Sequence, residues 1–183
     1  MRRQLLFIQG GGAGAHACDR LLVDSLARAL GPDREIRYPL MPNEDEPDVD
    51  AWKAEIAREL AALEDCAILL GHSLGGMILV DALAGLPPPR PLGALFLLAA
   101  PFAGEGGWQL DDFETPADLG ANLPPGLPVH IFHGEEDEVA PPAHAGLYAR
   151  LLPQARLHLL PGRDHQLGND LGEVAEVVRG IWG

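Results

Sequence analysis

Gly71-His72-Ser73-Leu74-Gly75 stands between two apolar runs, Ala67-Ile68-Leu69-Leu70 before it and Gly76-Met77-Ile78-Leu79-Val80 after it. A buried run meeting glycines on either side of a serine predicts a strand that turns abruptly into a helix, since a side chain at Gly71 or Gly75 would clash in so sharp a bend. Such a turn lifts the Ser73 hydroxyl above the sheet edge. It also aims the free N–H groups and positive dipole end of the new helix at any negative charge developing there. Ser73 can serve this turn as a helix cap or as a nucleophile, and the second use requires a base and an acid elsewhere in the chain.

Both are present further on. Pro128-Val129-His130-Ile131-Phe132 reads as a buried strand, and His133-Gly134-Glu135-Glu136-Asp137-Glu138-Val139-Ala140-Pro141 follows as a turn, which puts Asp137 just past a strand's carboxyl end. Arg156-Leu157-His158-Leu159-Leu160 reads as another strand, leading through Pro161-Gly162-Arg163-Asp164 to His165. If the strands are parallel, all three residues share one edge in the chain order Ser, Asp, His. Among the rivals, His133 belongs to a strand-end turn, and His72 packs beneath the serine. Glu135, Glu136 and Glu138 read as a solvated acidic run, and Asp164 is too close in sequence to His165 to reach back to its ring. His130, His144 and His158 have no catalytic context. No H-E-x-x-H or cysteine pair supports a metal, and no cofactor motif is evident.

Through G-H-S-L-G at 71–75, H-G-x-x-D-x-V-x-P at 133–141 and D-H at 164–165, the chain resembles the α/β-hydrolase superfamily over nearly its whole length. Its length is similar to the compact serine hydrolases of the retinoblastoma-binding-protein-9 and YdeN type, which lack a separate cap domain. The first two strands that many α/β-hydrolases carry are missing, because Gln4-Leu5-Leu6-Phe7-Ile8 already leads into Gln9-Gly10-Gly11-Gly12, and Gln9 stands where many relatives have histidine. The resemblance implies that this loop supplies one backbone donor of an oxyanion hole, assigned to Gly11, with Leu74 supplying the other. A dinucleotide-binding reading of the same glycines fails, since the G-x-G-x-x-G template aligned on Gly10 needs glycine at Ala15.

The remaining elements alternate. Leu22, Leu26 and Leu30 make one helical face, Glu35 to Tyr38 a short strand, and Trp52, Ile56, Leu60 and Leu63 the core side of a helix capped by Asp48. Leu92 to Ala100 is a fourth strand, and Leu171, Val174, Val178 and Ile181 face the core from a last helix. The expectation is one α/β domain over residues 1–183 with no separate cap domain. Six mostly parallel strands in the order 2-1-3-4-5-6 carry helices on both faces, and the site lies at the strands' carboxyl ends. Pro101 to Gly126 breaks the rhythm; the resemblance implies a rudimentary lid with Phe102, Trp108 and Phe113 as candidate pocket residues, the alternative being a surface loop whose aromatics tuck into the core, and His16 is a further candidate at the pocket's border.

Thirteen basic against 27 acidic residues leave a net charge of −14, which disfavours nucleic acid and anionic membranes as partners. Cys18 and Cys66 read as reduced thiols, Cys66 buried at a strand's head. Arg2-Arg3 ahead of a short apolar run does not make an export signal, so a cytoplasmic location is expected. The function expected is hydrolysis of a small-molecule carboxylic ester or thioester through an acyl-enzyme. Acyl transfer, amide cleavage by the same triad, and an idle fold used only for binding are the alternatives.

Overall fold

A computed structural model describes residues 3–86, 88–111 and 113–183; Arg2 of the arginine pair lies outside them. The elements run β1 (Arg3–Ile8), α1 (Ala15–Leu30), β2 (Arg34–Arg37), α2 (Val49–Ala61), β3 (Ala67–His72), α3 (Leu74–Gly85), β4 (Leu92–Leu98), α4 (Leu119–Asn122), β5 (Val129–Gly134), α5 (Ala143–Leu151), β6 (Ala155–Leu160) and α6 (Gly172–Trp182), with a single 3₁₀ turn at Leu167–Asn169 before α6. The six strands form one sheet in the order β2-β1-β3-β4-β5-β6, and every neighbouring pair is parallel.

Parallel strands need crossover helices, and those helices cover both faces, so central strands are buried on both sides. β3 is apolar or glycine through Gly71 and buried throughout for that reason. Alternate residues divide between two cores. Leu6, Ile8, Leu69, Leu95 and Leu97 pack with α2, α3 and α5 on one face, including Trp52 and Tyr148. Leu5, Phe7, Ile68, Leu70, Phe96 and Phe132 pack with α1 and α6 on the other, against Leu22, Leu26, Val174 and Val178. Asp48 caps α2 as expected, accepting the Ala51 amide at 2.7 Å.

One expectation is corrected. Cys66 is exposed, because it sits in the turn ahead of β3 with φ at +63° rather than in the strand; Cys18 is exposed on α1, and both thiols are free. In the segment between β4 and β5 an isolated β-bridge joins Ala103 to Trp108. Trp108 is tied to its own base, its amide donating to the Phe102 carbonyl at 2.8 Å and its carbonyl accepting from Gly104 at 2.9 Å. No helix among the described residues is long and apolar enough to cross a membrane.

Candidate active site

Four loops leave the carboxyl edge of the sheet at one place: Gln9 to Gly14 after β1, Ser73 after β3, the Asp137 turn after β5 and the His165 loop after β6. The bend at Ser73 holds the serine at φ +50°, ψ −127°, a conformation that costs a non-glycine residue about 1–3 kcal/mol and persists only where the surroundings enforce it. The flanking glycines do the enforcing. A Cβ at Gly71 would lie 2.5 Å from Gly76 Cα, and one at Gly75 would lie 2.1 Å from the Gln9 carbonyl oxygen. The Ser73 side chain makes no cap hydrogen bond to α3. Its Oγ instead lies 2.9 Å from His165 Nε2.

His165 Nδ1 lies 2.8 Å from Asp137 Oδ2. A carboxylate can only accept, so Nδ1 carries the ring proton and Nε2 of the neutral ring is left bare to accept from the Ser73 hydroxyl. Asp137 is the buried member of its acidic run, between exposed Glu135, Glu136 and Glu138. Its Oδ1 accepts the amides of Val139 and Ala140 at 2.9 Å each. His133 donates from Nε2 to the Ala140 carbonyl at 2.7 Å and stands 3.2 Å from Asp137 Oδ2. Burial alone would push the Asp137 carboxyl up; the hydrogen bonds of His133, His165 and Ala140 outweigh it and hold the group well below the usual carboxylate range. The two loops meet because β5 ends in a glycine: a Cβ at Gly134 would lie 2.2 Å from the Arg163 carbonyl oxygen.

The glycine loop after β1 separates its members by what their amides do. Gly10 donates to Asp19 Oδ2 at 2.8 Å, and Gly12 donates to the Glu44 carbonyl at 2.6 Å. Among the described residues, no group accepts from Gly11 or from Leu74, and the two are neighbours: a Cβ at Gly11 would lie 2.5 Å from Leu74 Cδ2. Glu44 was not singled out in the sequence, yet its carboxylate holds this loop, accepting from Gln9 Nε2 at 2.6 Å, the His16 amide at 2.8 Å and the Gly14 amide at 3.1 Å. Those bonds, the His16 amide's first, keep its carboxyl below the ordinary value. Gln9 braces the same loop to the β2–α2 connection, since its Oε1 accepts the Met41 amide at 3.1 Å.

Ser73 and His165 open on a cleft of about 390 Å³ walled by Pro47, Leu74, Trp108 and Val139, with Asp45 at its rim. Of the four candidate pocket residues, Trp108 alone borders it. His16 stacks flat on Tyr38 at 4.2 Å between ring centres, and the Ala15 beside it lines the cleft instead. Phe102 turns inward, edge-on to Tyr148 at 5.2 Å. Phe113 lies under Lys53, 5.9 Å from its ammonium. Beneath Ser73, His72 pairs with Asp19 at 2.8 Å, a contact 53 residues apart that no local pattern announces. The one signal was a carboxylate on the apolar face of α1, in line with Leu22 and Leu26. No group of three or more potential metal ligands is found among the described residues.

Comparison with known proteins gives the same fold. Over 98% of this chain and 90% of the other, the structure superposes on a serine hydrolase involved in carbazole degradation, the CarC enzyme, with a TM-score of 0.72 at 15% identity. Esterase PE8 gives 0.70 at 21% identity over 98% and 93%. SOBER1 of Arabidopsis thaliana gives 0.72 at 16% identity over the whole of both chains. No curated protein sequence matches. The family model described as serine hydrolase matches residues 24–169, a span that includes the Ser73 bend, Asp137 and His165. With a parallel six-stranded sheet in this order and that match, the chain belongs to the serine hydrolase family and adopts the α/β-hydrolase fold.

Proposed function

We propose that this protein cleaves small carboxylic esters through an acyl-enzyme on Ser73. The observation that carries the reading is the unbroken chain from Asp137 Oδ2 to His165 Nδ1 at 2.8 Å and from His165 Nε2 to Ser73 Oγ at 2.9 Å. In this reading Ser73 Oγ attacks the ester carbonyl carbon while its proton passes to His165 Nε2, and Asp137 holds the tautomer and balances the imidazolium. The carbonyl oxygen becomes an oxyanion between the free amides of Gly11 and Leu74, where each donor contributes about 3 kcal/mol in the transition state. Collapse breaks the ester C–O bond, and the alcohol leaves with the proton from His165. Water, deprotonated by the same histidine, then attacks the acyl carbon and releases the acid and Ser73. The apolar walls, and the absence of Lys or Arg among the described residues that line the cleft, favour a short uncharged acyl group.

The test is intact mass after fluorophosphonate treatment, with a peptide map and turnover of p-nitrophenyl acetate. The chain has two serines, and the other, Ser25, is engaged with Asp170 and the Leu171 amide. We expect one adduct on Ser73, none in Ser73→Ala, and turnover reduced at least about a thousandfold in Ser73→Ala and His165→Ala alike. A folded wild type that takes no adduct, or His165→Ala with near wild-type turnover, would overturn the reading.

A further inference from the structure

His72 and Asp19 form a buried pair directly under the Ser73 site, each about 1% exposed. His72 Nδ1 lies 2.8 Å from Asp19 Oδ2, and His72 Nε2 lies 2.9 Å from the backbone carbonyl oxygen of His165. A carbonyl oxygen has no proton to give, and neither does an ionised carboxylate. Two such contacts need an N–H at both ring positions, whereas a neutral imidazole has one. Asp19 Oδ2 already accepts the Gly10 amide at 2.8 Å, which suits an ionised acceptor rather than a hydroxyl.

We propose that His72 is an imidazolium at neutral pH, fixed by the Asp19 carboxylate, and that it acts as a positioning residue whose Nε2–H sets the backbone of the His165 loop against the glycine loop. The proposal rests on the reading of His165 as the base. One carboxylate oxygen thereby joins two halves of the site: it holds Gly10, next to Gly11, and through His72 it holds the carbonyl of His165. Asp137 fixes the His165 ring through its side chain, whereas the His72 bond holds the main chain at His165 itself; on either side the loop is tied by the Glu136 amide on the Arg163 carbonyl at 3.0 Å and by Arg163 Nη1 on the Leu167 carbonyl at 2.8 Å.

The electrostatics agree with this geometry. Burial alone would lower the His72 pKa, but hydrogen bonding and charge from Asp19, with the His165 carbonyl and the Asp137 charge, raise it above the ordinary histidine value. Burial would raise Asp19, yet the His72 and Gly10 bonds hold it below the usual carboxylate range. The neighbouring titratable ring is His165 itself, 5.1 Å from His72 between centroids. Replacing Asp19 with asparagine keeps the shape and removes the counter-charge. His72 would then keep a single ring proton: with the amide oxygen in the place of Oδ2 one of its two bonds becomes a contact between lone pairs, and with the NH2 there the Gly10 amide faces a second donor.

The test is the imidazole nitrogen spectrum of the ¹⁵N-labelled full chain between pH 5 and 8, with His72 assigned by its loss in His72→Gln. We expect two protonated ring nitrogens on His72 at pH 7 in the wild type and one in Asp19→Asn. A neutral His72 ring in the wild type at pH 7 would overturn the proposal, and this measurement stands whether or not the protein turns over esters. The kinetic arm expects Asp19→Asn, folded by circular dichroism, to lose tenfold or more in kcat and in the rate of fluorophosphonate labelling, with KM within threefold. A folded Asp19→Asn with wild-type kcat and labelling rate would remove the positioning role. If Asp19→Asn does not fold, the wild-type spectrum decides the charge.

Discussion

At the scale of single residues, the bend at Ser73 depends on where a missing methyl would have gone. A Cβ at Gly75 would press on two backbone oxygens, Gln9 O at 2.1 Å and Ile8 O at 2.8 Å, and Ile8 belongs to the register that pairs β1 with β3, so the chain there cannot withdraw without disturbing the sheet. A Cβ at Gly146, inside α5, would touch nothing within 4 Å. Gly75→Ala is therefore expected to cost about 3 kcal/mol or more, or to prevent folding, by the overpacking of backbone on backbone. Gly146→Ala should instead raise stability by about 0.5–1 kcal/mol, through helix propensity and a less flexible unfolded chain. Urea denaturation of the two variants checks both signs. Equal effects would mean that the backbone beneath Ser73 gives way to an added methyl.

At the scale of elements, the parts of the site that are local in sequence were legible and the parts that bridge distant positions were not. The glycines around Ser73, the strand ends before Asp137 and His165, and the helical spacing of Leu22, Leu26, Trp52 and Ile56 each express a period or a backbone constraint within a few residues. Gln9, Glu44, Asp19 and His72 work through contacts 35 and 53 positions apart, set by which strands end up adjacent. The aromatic residues between β4 and β5 show the same limit from another side. A segment without a period gives no face, and Phe102 and Phe113 could be placed only once Tyr148 and Lys53 were seen beside them. Trp108 remains at the cleft, edge-on to His144 at 6.2 Å, in a loop that its own backbone bonds pin down. Trp108→Ala should therefore enlarge the acyl side and shift the ratio of kcat/KM for p-nitrophenyl octanoate over acetate upward by about tenfold or more, the lower end of what a single methylene in an apolar pocket supplies. An unchanged ratio would put the acyl group on another wall of the cleft.

Across the whole molecule, His130, His144 and His158 are expected to make stability fall as the pH drops below neutrality. His130 and His158 face each other between β5 and β6, Nδ1 to Nε2 at 3.2 Å, so one nitrogen must donate and the other accept. Burial, His158 and Arg156 push the His130 pKa down to about 4, and burial and Arg156 lower His158. His144 is lowered by burial and then by His133, and its Nδ1 accepts the Phe102 amide at 2.9 Å, a bond that protonation there would destroy. A histidine with a depressed folded pKa binds its proton more readily when unfolded. Its stabilisation is present above the unfolded value near 6.5 and is lost as the pH falls toward the folded value. His72 runs the other way, contributing below 6.5 and losing that contribution as the pH rises through its raised value. Asp19 and Asp137, both depressed, give way last, below the ordinary carboxylate range. Between pH 7 and 5 the His130 contribution alone should fall by about 2 kcal/mol. The surplus of carboxylates behind the net charge of −14 pulls in the opposite sense, since protonating some of them relieves repulsion. His130→Gln keeps a hydrogen-bonding partner for His158 while removing the titration. Urea unfolding at the two pH values should show a drop in stability smaller by about 2 kcal/mol in this variant than in the wild type. An equal drop in both would assign the acid sensitivity to His144, His158 or the carboxylates instead.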